Sequence, residues 1–153
     1  MKFNRRHFLK TTLILSTTGL GSLETRLASA EWSAVRFAES GFDQTLKQIS
    51  NGKPIVESDK INLDIPEIAE NGALVPFTVT STLDDPIKTI SIIVEQNPVP
   101  LIIQTQLMPE LEIFMSARLK IANSSFVFAI AEGEKVCYSV KKKVKVTIGG
   151  CGG

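Results

Sequence analysis

The stretch "IKTISIIVEQ", Ile87–Gln96, decides the fold class, because β-branched residues dominate it. Turn-forming residues flank it on both sides, Asp84–Pro86 before it and Asn97–Pro100 after it. A short β-branched run between two turns is typical of a buried strand and too short for a typical helix. The stretch therefore predicts a β-strand inside a sheet.

Six similar runs lie around this strand and are separated by turn residues. They are Lys60–Ile65, Ala73–Thr82, Leu101–Met108, Ile113–Ala122, Ser125–Glu132 and Lys135–Ile148. Glu67–Gly72, "EIAENG", is predicted to be a turn-rich loop. About seven short strands with regular turns predict an all-β, antiparallel β-sandwich. We expect its core to contain four aromatic residues: Phe77, Phe114, Phe126 and Phe128.

The segment before the first strand has helical periodicity. An irregular apolar stripe runs through Glu31–Ser50, and Gly52 and Pro54 follow as stop signals. We therefore predict an N-terminal helical segment over 31–59, before the sandwich at 60–148.

Residues 1–30 have the layout of an export signal. A basic start precedes an apolar stretch at 11–23, and Ala28–Ala30 supplies the small residues needed for cleavage before Glu31. The apolar stretch is too short for a stable membrane span. "RRHFLK", Arg5–Lys10, resembles the twin-arginine signal, although an ordinary secretory signal with two arginines is the alternative. We expect a periplasmic protein that is exported already folded, and therefore able to carry a partner.

Removal of the signal excludes several classes of function. Of 17 basic and 16 acidic residues, five and one lie in the signal, which leaves a formal net charge of −3. Neither nucleic acid nor an anionic membrane is indicated. The only histidine, His7, leaves with the signal, which excludes Ser-His-Asp and Cys-His catalysis and the commonest metal ligand. We expect no metal and no cofactor, and the chemistry that remains is that of a thiol.

Two cysteines occur, in very different settings. Cys137 lies in an apolar, strand-like run and is predicted to be a small buried hydrophobe. Cys151 stands on a C-terminal arm, residues 149–153, whose other members are glycines: Gly149, Gly150, Gly152 and Gly153. Five extended residues reach roughly 17 Å, so the arm predicts a thiol presented on a thin tether. The alternatives are a Cys137–Cys151 disulfide and an intermolecular disulfide through Cys151.

A run of lysines precedes the arm, at Lys141–Lys143 and Lys145. Lysines on an edge strand oppose strand-to-strand aggregation, so a solvated edge is the first interpretation. The alternative is a docking patch for acidic partners.

Three features together resemble the SoxY family of the Sox thiosulfate-oxidising system. They are the ending "VKVTIGGCGG" (Val144–Gly153), the segment "IPEIAENGALVPFTV" (Ile65–Val79) and the twin-arginine signal. The resemblance implies an Ig-like sandwich and a covalent sulfur carrier, not an enzyme, with Cys151 as the substrate attachment point. Cys137 is not part of the family pattern.

The resemblance also implies partners. One is a SoxZ-like subunit, exported as a passenger in a heterodimer. The others are transient: a c-type haem enzyme, a sulfate thiohydrolase and a sulfane dehydrogenase.

Three other functions remain as alternatives. A secreted Ig-like binding module would carry the tail incidentally. A ubiquitin-like carrier would hold sulfur as a C-terminal thiocarboxylate, which the export signal disfavours because adenylation needs ATP. A thiol oxidoreductase is disfavoured because the two thiols are 14 residues apart and form no C-x-x-C pair.

Overall fold

The computed structural model describes residues 37–108 and 112–148 as two facing β-sheets with one short helix on the larger sheet. The elements, in chain order, are α1 Phe42–Ser50, β1 Ile55–Glu57, β2 Ile61–Asp64, β3 Ile68–Asn71, β4 Val75–Ser81, β5 Thr89–Val94, β6 Leu101–Gln106, β7 Phe114–Leu119, β8 Ser125–Glu132 and β9 Cys137–Ile148. The larger sheet has the order β1-β9-β8-β5-β6, with β3 also paired to β9, and the smaller has the order β2-β4-β7. No helix within these two ranges is long and apolar enough to cross a membrane. The predicted all-β sandwich is confirmed.

The core lies between the two sheets and follows the alternation of the strands. β2 shows it most simply, since Ile61 and Leu63 are buried while Asn62 and Asp64 are exposed. β5 does not alternate, because it is covered on both faces. Its Ile92 joins the core between the sheets, whereas the neighbouring Ile93 packs in a second cluster beneath α1. This double burial explains why Ile87–Gln96 has the strongest strand signal in the sequence.

The helix is shorter than predicted. α1 begins at Phe42, and residues 37–41 form a turn and a bend, while 31–36 lie outside the described residues. It ends as predicted: Asn51 and Gly52 both have positive φ angles, 50° and 79°, a conformation that stops a helix.

The prediction of seven strands was wrong by two in the described part of the chain. The predicted helical segment 31–59 contains β1, and the predicted loop Glu67–Gly72 contains β3. Both missed strands pair in parallel with β9, Ile55 opposite Cys137 and Ile68 opposite Lys145, so the sandwich is not purely antiparallel. β1 and β3 have three and four residues and are mostly exposed. Their sequences therefore carry little periodic signal, and pairing with a distant strand creates them.

The prediction for the four phenylalanines was only partly right. Phe77 is buried in the core, but Phe114 is 73% exposed and Phe126 is 36% exposed. Phe114 points outward because β7 buries the alternate positions, including Leu119. Phe128 is half-buried and packs on Phe42 of α1, with ring centroids 5.0 Å apart.

Candidate functional site

β9 is the element that leads to the candidate functional thiol. It is 12 residues long and ends at Ile148, directly before Gly149. The predicted attachment residue Cys151 and the arm glycines Gly149, Gly150, Gly152 and Gly153 lie outside the described residues. The structure therefore defines the base of the arm.

That base is hydrogen-bonded to its neighbours on both sides. On the β3 side, the amide of Lys145 donates to the carbonyl of Glu67 at 2.8 Å, and the amide of Gly72 donates to the carbonyl of Ile148 at 2.9 Å. On the other side, the amide of Val146 donates to Oγ of Ser124 at 2.9 Å. The last residue before Gly149 is thus fixed in the sheet, so β3, which sequence reasoning missed, anchors the arm. The sequence signal that could have marked it is the "IAENG" part of the family-like segment, which was predicted to be a loop.

The other cysteine is in the protein interior. Cys137 is a fully buried free thiol, packed with Ile49, Ile93 and Ile130 beneath α1. Its Sγ makes only a weak contact, 4.0 Å from the carbonyl oxygen of Ser50. Burial raises the pKa of this thiol, the charge of Glu132 raises it further, and Lys53 offsets the effect only in part. The prediction that Cys137 is a small buried hydrophobe is confirmed, and a thiol enclosed by the fold is poorly placed to form a disulfide with Cys151.

An ion pair stabilises the turn that precedes β9. Nζ of Lys53 donates to Oε1 of Glu132 at 2.7 Å and to the carbonyl of Gly133 at 2.9 Å. The hydroxyl of Thr89 donates to the other carboxylate oxygen of Glu132 at 2.9 Å. Burial alone would raise the pKa of Glu132, but the hydrogen bonds from Lys53 and Thr89 outweigh it and lower that pKa.

The lysines of β9 are exposed. Lys141 pairs with Glu57 at 2.6 Å, and Nζ of Lys143 lies 6.0 Å from the centre of the Phe126 ring. Among the residues of 37–108 and 112–148, no group of three or more His, Cys, Asp or Glu side chains could hold a metal ion. The surface that the described residues form at the base of the arm is therefore cationic and apolar.

Known proteins match both the sequence and the fold. Residues 46–151 match the family described as "Sulfur oxidation protein SoxY". The solved structure of the sulfur carrier protein SoxY from Chlorobium limicola f thiosulfatophilum is 31% identical, with a TM-score of 0.63, over 69% of this chain and 96% of that one. The human F-spondin reeler domain also aligns, at 12% identity and a TM-score of 0.41, over 61% of this chain and 95% of that one. No curated protein sequence matches the chain.

The family match and the match to the solved sulfur carrier together support a carrier role in sulfur oxidation. The chain belongs to the SoxY family, as its C-terminal residues indicated.

Proposed function

We propose that this chain is a periplasmic sulfur carrier that holds thiosulfate-derived intermediates on Cys151 and presents them to partner enzymes. The observation that carries the proposal is the extent of the family match, which runs to Cys151. The burial of Cys137 supports it, because the other thiol in the sequence is enclosed by the fold.

The chemistry expected at Cys151 is that of a nucleophilic sulfur. Its Sγ forms an S–S bond with the outer sulfur of thiosulfate, the thiol proton goes to solvent, and a c-type haem enzyme accepts the two electrons released. Hydrolysis by a sulfate thiohydrolase then adds water to the terminal sulfone, releases sulfate and leaves a persulfide on Cys151. A sulfane dehydrogenase then accepts six electrons from the outer persulfide sulfur while three water oxygens are added to it, and a second hydrolysis releases this sulfur as sulfate and restores the Cys151 thiol. In this sequence the chain supplies no catalytic group and acts by raising the effective concentration of the bound intermediate.

The arm and its base have complementary roles in this proposal. The glycines let the thiol enter a narrow channel, and ordering them costs on the order of 1–2 kcal/mol per residue, which keeps docking transient. The hydrogen bonds around Lys145 and Ile148 give the arm a fixed origin. A SoxZ-like subunit would form a heterodimer with the chain and leave the cytoplasm with it through the twin-arginine pathway.

Intact mass spectrometry of the complex isolated from the periplasm tests the proposal. The wild-type chain is incubated with thiosulfate and the loading enzyme, then measured before and after a reductant. We expect an added sulfur-containing mass that the reductant removes, that Cys151→Ser abolishes and that the control Cys137→Ala retains. Mass retained in Cys151→Ser would instead indicate a terminal thiocarboxylate, and a wild-type chain that never gains mass would indicate a binding module with an incidental tail.

A further inference from the structure

The outer face of the larger sheet is divided into two halves. α1 covers one half, where Cys137, Ile130 and Ile93 pack against the helix. Side chains two residues apart along a strand share a face, so Lys141, Lys143 and Lys145 project from the same face as Cys137. They lie in the half nearest the end of β9.

Two apolar side chains lie among these lysines. Phe126 of β8 is directly opposite Lys143, and Ile68 of β3 is directly opposite Lys145, so both share their face. Phe126 is 36% exposed and Ile68 is 63% exposed. We call this set the basic face: Ile68, Phe126, Lys141, Lys143 and Lys145. Its five members come from three different strands, β3, β8 and β9, and only the tertiary structure brings them together.

The positive charge of the basic face indicates which kind of partner surface would bind it. Lys141, Lys143 and Lys145 line an open groove of about 750 Å³ together with Lys142, and Glu67 is the one acid among the described lining residues. Lys141 has an ion-pair partner in Glu57 and Lys143 lies over the Phe126 ring, but within the described part of the chain no acid pairs with Lys142, Lys143 or Lys145. Residues 31–153 carry 12 basic and 15 acidic residues, a formal net charge of −3, so this positive surface is local. It complements an acidic surface with an apolar centre.

The position of the basic face shows which partner it suits. Ile148, the last residue before the arm, is three residues beyond Lys145, roughly 10 Å along the strand. The arm reaches roughly 17 Å further. A protein seated on the basic face would therefore have its channel entrance within reach of Cys151. Exposed charges around a small apolar centre suit an electrostatically steered, short-lived complex.

We propose that the basic face is the docking surface for the acidic rim of the c-type haem enzyme that loads the arm. The proposal rests on the carrier function above and assigns its enzyme-recognition surface. Of the two interpretations of the lysines, a solvated edge and a docking patch, the proposal favours the docking patch.

Steady-state kinetics with the carrier as the varied substrate tests the proposal. The assay uses the carrier complexed with its SoxZ-like subunit, thiosulfate, and the purified c-type haem loading enzyme. For Lys143→Glu/Lys145→Glu we expect KM for the carrier to rise at least tenfold with kcat nearly unchanged. We also expect a weaker dependence of kcat/KM on salt, since steering by charge is screened by ions. Ile68→Ser should raise KM about threefold or more by removing the apolar centre.

Matched controls carry the same changes elsewhere on the chain. Lys88→Glu/Lys135→Glu alters two exposed lysines near the opposite end of the larger sheet, and Phe114→Ser removes an exposed ring from the smaller sheet. For both control variants, KM for the carrier should stay within twofold of the wild-type value. If Lys88→Glu/Lys135→Glu changed KM for the carrier as much as Lys143→Glu/Lys145→Glu does, the proposal would be overturned. Failure of Lys143→Glu/Lys145→Glu to co-purify with the subunit would also overturn it, because it would assign the face to the permanent interface. A wild-type carrier that is never loaded would refute the carrier function itself.

Discussion

In the native protein, Cys137 should react with iodoacetamide about 10³-fold more slowly than Cys151. Cys137 is fully buried beneath α1, so the reagent reaches it only when the helix leaves the sheet. Burial also raises the pKa of this thiol and so reduces the reactive thiolate.

The size of the protection follows from the apolar surface that α1 covers. Ile49 is 3% exposed, and its burial contributes about 2 kcal/mol, while the half-buried Phe42 and Leu46 contribute about 1 kcal/mol each. Detaching the helix therefore costs roughly 4 kcal/mol. Since about 1.4 kcal/mol corresponds to a factor of ten, the open state is populated at about one part in 10³.

Timed labelling near neutral pH, followed by digestion and mass spectrometry, measures both rates. In concentrated urea the two thiols should label at similar rates, which checks that the reagent itself does not discriminate. Ile49→Ala should speed the labelling of Cys137 at least tenfold, because it weakens the helix contact, and should leave Cys151 unaffected. Native labelling of Cys137 within tenfold of Cys151 would refute the reasoning and make Cys137 a second candidate for sulfur attachment.

Two further predictions concern the turn that enters β9. A Cβ at position 133 would collide with Oδ2 of Asp85 and lie 2.9 Å from the carbonyl oxygen of Val136, so Gly133→Ala should lower the free energy of unfolding by about 1–3 kcal/mol. Urea unfolding measures this against Gly41→Ala, where no atom lies within 4 Å of the added carbon, and equal losses in both variants would contradict it. Glu132→Gln should lower the free energy of unfolding at neutral pH by about 1 kcal/mol, because it replaces charged hydrogen bonds with neutral ones. The pKa of Glu132 is lowered in the folded protein, so its contribution is present above the unfolded pKa of roughly 4.3 and is lost as the pH falls through the lower folded value. The difference in the free energy of unfolding between wild type and Glu132→Gln should therefore shrink in acid. A difference that increased below a pH of roughly 4.3 would contradict the prediction.

The contrast between the two cysteines could be predicted from the sequence, because it depends on the residues next to each of them. Cys137 in an apolar run and Cys151 among glycines differ in their immediate neighbours, and the burial of Cys137 followed from that difference. The family segment around "IAENG" was also visible in the sequence, but its secondary structure was not. β3 buries only one of its four side chains, so it shows no period of two.

The sequence by itself determined the all-β class, seven of the nine described strands and the end of the helix, because periodicity and turn residues are local properties. Only the tertiary structure decided that β1 and β3 are strands, since each forms by pairing with β9 far along the chain. The same holds for Phe126 and Ile68, whose exposure depends on how far α1 extends over the sheet. The basic face therefore could not be predicted from the lysines alone. It exists because strands distant in sequence set their side chains side by side on a half-face that the helix leaves uncovered.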